Sequence, residues 1–223
     1  VLLGERIQDA GIPHFSMDNV SAASEMVHHL YQQGARSFLI LGSTHTRATS
    51  SAGALRQRGI EKALSELGLD SWAWRSVEVS PWTAEGAESA LGQWLESNTL
   101  PDAIFTMNDL LGAGALRALS RAQVRVPQDV LVSSWDDTVL SRFSTPALTT
   151  ISPDTHAIAH EAVAGLIALI EGNGRTGESR GAAETDADAA EALNPAHSNQ
   201  PSTQVSDVTV SYTLTVREST KRV

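Results

Sequence analysis

Short, continuous apolar runs alternate along this chain with longer stretches in which apolar residues return every three or four positions. The runs SFLIL (37–41), AIFT (103–106) and VLVS (130–133) are of strand length, and an unbroken apolar strand is one covered on both faces. Between them, 21–33 aligns Val27, Leu30 and Tyr31 on one helical face, and 52–67 aligns Leu55, Ile60, Ala63, Leu64 and Leu67. Asp18 or Asn19 can cap the first of these helices, while Gly34 and Gly68 stop the two. Further strands are expected at 12–17 and 74–79, and further helices from Pro81-Trp82-Thr83 to 97 and over 108–122. Strand and helix in alternation with short connections predict an α/β fold, parallel sheets flanked by helices.

Past Pro146 the pattern changes. A helix over 154–171 is expected to turn Ile158, Ala162, Val163, Leu166, Ile167 and Ile170 inward, and 208–216 alternates with period two as one closing strand. Between them, 173–206 is small, polar and acidic, with little to bury, and reads as a disordered insertion.

The chain has 223 residues, with 16 Lys and Arg against 26 Asp and Glu. A formal charge of −10 with scattered cations gives no basic face for nucleic acid. Cysteine is absent, which excludes disulfides and thiolate metal sites and permits a cytoplasmic home. No apolar run reaches the roughly 18 residues of a membrane span. The chain opens at Val1 without an initiator Met or a secretory pattern, so a fragment or a truncated protein is expected.

Chemistry concentrates where strands end. IFTMNDLLGAGALRAL and VLVSSWDD put Asn108 and the pair Asp136-Asp137 at the carboxyl ends of two strands joined by one helix, where open α/β sheets hold ligands. Catalytic signatures are missing: no Gly-x-Ser-x-Gly elbow, phosphate loop or dinucleotide fingerprint occurs, and Gly112 and Gly114 lie inside a helix, where close packing explains them. His156 and His160 stand four apart but read better as a solvated helix face than as metal ligands. No enzyme, cofactor or metal is expected.

The strings IPHFSMDN, SFLILG, LRQRGIEKAL, WTAEG, AIFTMNDLLGAGALRAL, RVPQDV, WDD, TPALTTI and TLTVREST occur together and in this order. In that they resemble the effector-binding core of the LacI/GalR family of bacterial transcription regulators. The resemblance implies a periplasmic-binding-protein-like type I fold: two α/β subdomains joined by three strand crossovers around a ligand cleft. On it, 1–18 and 148–172 are a partial N-terminal subdomain, and 19–147 with 207–223 the complete C-terminal one. The crossovers fall at Asp18-Asn19, at 148–152 and after the insertion.

The resemblance carries ligand contact to Arg56, Trp82, Asn108 and Asp136, with Asp18 a weaker candidate. Arg56 would offer a planar charged fork, Asn108 a donor and an acceptor, Asp136 an acceptor for two hydroxyls, and Trp82 a face for a sugar ring. Each type also has an ordinary role: Asn108 as a helix cap, Asp136 and Arg56 in pairing, Trp82 in packing. The implied partners are a small effector of the sugar or sugar-derivative class, a second copy of the chain, and operator DNA through a helix-turn-helix head absent from this chain. A solute-binding protein of a sugar transport system is the alternative on the same fold. A third is a nonfunctional remnant whose helix 154–171 has lost the sheet it covered. Ala35, Ser134, a long 43–51 loop and the insertion depart from the family pattern.

Overall fold

The structure is a computed structural model that describes residues 1–3, 12–43, 51–69, 71–177 and 207–221. The chain starts in a small sheet with β1 (Leu2–Leu3) and β2 (His14–Met17). It then builds a larger unit from α1 (Asn19–Gln32), β3 (Phe38–Ser43), α2 (Ala52–Glu66), β4 (Trp74–Glu78) and α3 (Ala84–Ser97). This unit continues with β5 (Ala103–Thr106), α4 (Asp109–Arg121), β6 (Leu131–Trp135), α5 (Val139–Phe143) and β7 (Thr149–Pro153). Helix α6 (Thr155–Gly177), β8 (Val208–Val210), β9 (Tyr212–Thr215) and a short 3-10 turn (Glu218–Thr220) follow.

Six strands in the order β4-β3-β5-β6-β7-β9 form the large sheet, parallel except for the antiparallel β7–β9 pair. Its central strands β3, β5 and β6 are buried at every residue, as unbroken apolar runs require, while the edge strand β4 is largely exposed. Helices pack close on the sheet. A side chain at Gly59 would run into the Val20 carbonyl of α1, and one at Gly114 into the Ala84 carbonyl of α3. Gly59 and Gly114 are therefore contact points between helix pairs, while a side chain at Gly112 would run into Leu148 and Ser134 of the sheet side, the close packing that the sequence suggests for Gly112 and Gly114.

Three parallel strands, β1-β2-β8, form the small sheet. The chain passes between the sheets three times: after Met17, after Pro153 and at Ser211. The Asp154 amide donates to the Ser211 carbonyl at 3.1 Å, so the second and third passages are tied side by side.

Three expectations are corrected. The closing strand over 208–216 is two strands split at Ser211, with Val208–Val210 in the small sheet and Tyr212–Thr215 in the large one. Its even alternation conceals the split, because period two is the same in either sheet. The second passage follows Pro153 rather than lying within 148–152, since β7 pairs along its length with β6 and β9. Helix α6 does not turn its apolar residues inward. Ala162 is buried, but Val163, Leu166, Ile167 and Ile170 are 43–62% exposed. A three-stranded sheet is too narrow to cover a helix of 23 residues. The helix also runs to Gly177, past the expected end at 171; the rest of the predicted insertion, 178–206, and most of the long 43–51 loop lie outside the described residues.

Candidate functional site

The carboxyl ends of β3, β5 and β6 point to one edge of the large sheet, and three of the predicted residues gather there. Arg56 enters from the second turn of α2. Its Nε donates to Asn19 Oδ1 at 3.1 Å and its Nη1 to the Met107 carbonyl at 2.5 Å. The guanidinium lies over the Trp135 ring, 4.3 Å from its centroid, in the geometry of a cation–π contact. Nη2 faces Asp136 Oδ1 at 3.7 Å. That separation is an ion pair but too long for a hydrogen bond, so the carboxylate keeps acceptor capacity for another group.

Exposure sharpens the division of labour. The Arg56 side chain is 11% exposed and the Asp136 side chain 39%. The arginine is thus fixed from several sides, and the aspartate is the part that meets solvent. Burial pushes the Asp136 carboxyl up to about 6; Arg56 pulls the other way and the Asp109 carboxylate adds to the rise. At neutral pH it is mostly charged, but it titrates within reach of physiological conditions.

Asn108 caps α4, its Oδ1 accepting from the Leu111 amide at 2.9 Å. Among the described residues its side-chain nitrogen makes no hydrogen bond, which leaves a donor beside the Met107 carbonyl that holds Arg56. Capping and donation outward coexist in this one side chain. Trp82 is half-buried against the core, in the segment after β4 and just before the Thr83 cap of α3. It makes no hydrogen bond to Arg56, Asn108 or Asp136 among the described residues. Asp18 is exposed and occupied as the cap of α1, accepting from the Ser21 amide at 2.9 Å and the Ser21 hydroxyl at 2.6 Å. Among the described residues it makes no hydrogen bond or ion pair with Arg56, Asn108 or Asp136, although its neighbour Asn19 accepts from Arg56.

Sequence reasoning passed over the groups that hold these residues in place. Asp109 is 1% exposed. It accepts from the Ser134 hydroxyl, from the Thr138 amide and hydroxyl at 2.7 and 2.8 Å, and from the Thr150 hydroxyl at 3.3 Å. A buried carboxylate needs that many donors, and its place in the first turn of α4 adds the helix dipole. Asp109 therefore knots β6, β7 and the turn after β6 together. Asp137 pairs with Arg217 at 2.6 Å. The signals were present in ND, WDD and VREST, but nothing in one sequence says which members of such strings face each other.

Comparisons with known proteins bear on the family and the fold. Residues 27–185 match the model of the periplasmic binding protein-like domain. A solved structure from Sanguibacter keddieii, described as a LacI-family transcriptional regulator, is 30% identical and superposes with a TM-score of 0.76, covering 98% of this chain and 72% of that one. The chain belongs to the LacI family. Among curated relatives of this LacI-family chain, the repressor CytR of Escherichia coli K12 is 28% identical over 178 residues, which are 77% of this chain and 49% of CytR. The chain thus spans about half the length of the curated relatives it matches. The regulator CelR in complex with cellobiose, 23% identical, shares the fold at a TM-score of 0.73 over 97% of this chain and 57% of its own. These relatives of the LacI-family chain are transcription regulators. No helix among its described residues is long and apolar enough to cross a membrane.

Proposed function

We propose that this chain is the effector-sensing and dimerisation portion of a cytoplasmic LacI-type regulator, and that the effector is a sugar or sugar derivative. The observation that carries the reading is the Asp136–Arg56 pair. A half-exposed carboxylate with spare acceptor capacity stands beside a guanidinium already fixed in place. Adjacent sugar hydroxyls suit such a pair, the carboxylate accepting from them and Asn108 Nδ2 donating to a ring or hydroxyl oxygen. Trp82 is proposed as an apolar platform at the rim, and Asp18 as a marginal contact.

The two sheets and their helices act in this reading as the lobes of a cleft, β1, β2, β8 and α6 against the six-stranded sheet with α1 to α5; the division expected from the sequence shifts accordingly, β7 going to the large lobe and β8 to the small one. The effector must bind the closed and open arrangements with different affinity for closure to carry a signal. Operator DNA is engaged by a helix-turn-helix head outside these residues, in keeping with the charge of −10. The second copy docks on α4 and α5, where Leu110, Val139, Leu140 and Phe143 are 41–82% exposed and Phe143 lines a groove of about 600 Å³. Kinship with named regulators supports this reading over a transport protein.

A thermal-shift series against cellobiose, other sugars, sugar phosphates and purines tests it. A ligand specific to the folded state raises the melting temperature by mass action. The expected result is a saturable shift with a sugar, abolished by Asp136→Ala and by Arg56→Ala. A shift that survives both substitutions would place the ligand elsewhere.

A further inference from the structure

Asp136 and Asp137 are successive non-glycine residues with positive φ, 104° and 52°. Side chains rarely adopt such backbone angles, and two in a row persist only where neighbours over-determine them. The Asp136 amide is held by the Ile151 carbonyl at 2.9 Å. Asp137 is held from the far end of the chain. Arg217 Nη2 donates to its Oδ1 at 2.6 Å, and Nη1 of the same fork donates to the Leu148 carbonyl at 2.9 Å. Both side chains of the pair are under 20% exposed, so solvent competes little for it.

Arg217 also braces the start of the β7–β9 ribbon. It follows β9, whose ladder with β7 runs from Thr150 opposite Thr215 to Pro153 opposite Tyr212, next to the second and third passages between the sheets. Its amide donates to the Thr149 hydroxyl at 2.9 Å. One guanidinium thus ties the turn after β6, which presents Asp136, to the backbone just before β7.

We propose that Arg217 is a positioning residue for the effector site: by pinning Asp137 and the Leu148 carbonyl it holds the turn after β6 so that Asp136 faces Arg56. The role of Asp136 as an effector contact rests on the reading above; the placement of its carboxylate by Arg217 does not.

The readout is the titration of Asp136 in the 223-residue chain without ligand, followed by carboxyl-carbon NMR and assigned by its loss in Asp136→Asn. Arg56 and Asp109 are the charges that act on it, and the Asp137–Arg217 pair lies in the adjoining turn. In the native chain burial should set the midpoint at about 6. In Arg217→Met the freed turn should carry Asp136 into water, and the midpoint should fall toward about 4, the ordinary carboxylate value. Loss of a nearby cation alone acts in the opposite direction and would raise it. Arg217→Lys, which keeps the charge on Asp137, should hold the midpoint near its native value. Should Arg217→Met fail to fold, Arg217→Gln gives the same reading with a milder change in shape. A midpoint that stays or rises in a folded, destabilised variant would overturn the proposal and leave Arg217 a tether of the tail. If no sugar shifts the native chain's melting temperature while Arg217→Met still lowers the midpoint, the sugar reading falls and the positioning role stands.

Discussion

The two sheets are built by one chain from similar elements, yet they end in opposite conditions. The large sheet is closed: helices cover it on both faces, β3, β5 and β6 have no exposed residue, and a single apolar cluster runs from Met26 of α1 to Leu131 of β6. The small sheet has three short strands, and its helix α6 leaves Val163, Leu166, Ile167 and Ile170 in solvent. Apolar surface stabilises only when it leaves water, at about 25 cal/mol per Å². The same kind of helix is therefore a source of stability over a wide sheet and an unfilled surface over a narrow one. What differs is the partner, not the helix.

The difference can be broken from its strong side first. Phe105 in β5 is 1% exposed and lies 6.3 Å from the Trp135 ring. Phe105→Ala should cost about 3–5 kcal/mol in urea denaturation, the usual range for a large aromatic removed from a tight core. It should also loosen the floor under Arg56. A loss under about 1 kcal/mol would mean that the large sheet is no better packed than the small one.

A pH scan sharpens the comparison at the site. Because the folded-state midpoint of Asp136 lies at about 6, above its ordinary value, the folded chain binds the extra proton between roughly pH 4 and 6. Stability from this group is greatest below that window and declines as pH rises through it. Asp136→Asn should remove the decline. Effector affinity should change with the opposite sign, weakening as pH falls below about 6, because the neutral acid is a poorer acceptor for hydroxyls. Calorimetric titration with a bound sugar at pH 5 and pH 7.5 would show it.

Trp135→Leu removes the ring beneath Arg56 and should weaken effector binding by roughly 0.5–2 kcal/mol, the scale of a cation–π contact. It also removes a buried indole N–H that has no partner among the described residues. That loss offsets part of the cost in stability but none in affinity. The smallest effect belongs to the weak side of the comparison. Ile170→Ser on α6 should change the unfolding free energy by no more than about 0.5 kcal/mol, as for a surface position, while reducing the binding of an apolar dye. A cost of core size there would show that the stripe is covered in solution.

Much of the candidate site was legible because its residues serve local structure as well. Asn108 was readable as a cap, and a cap announces where a helix begins and hence where the preceding strand ends. Asp136 was readable because a polar pair terminates an apolar strand. The resemblance then singled out Arg56. Trp82 stands on the same resemblance and Asp18 is the weaker candidate at the crossover, and the structure ties neither into the Arg56–Asp136 pair. Asp18 spends its oxygens on capping α1, and Trp82 packs against the core. Asn19, Asp109 and Arg217 were passed over because their partners lie 37, 41 and 80 residues away.

By itself the sequence determined the element types and their order, the parallel α/β class and the strand ends that hold chemistry. These follow from periodicity, caps and turn residues, which act within a few positions of one another. The tertiary structure alone decided that the closing segment serves two sheets, that the apolar face of α6 is left open, and that Arg56 is braced by Asn19, Met107 and Trp135. Period two does not say which sheet a strand joins, and an amphipathic stripe does not say how wide its partner is. A charge does not name its counter-ion. Such matters turn on distances in space between residues far apart in the chain, and only the packed fold sets those.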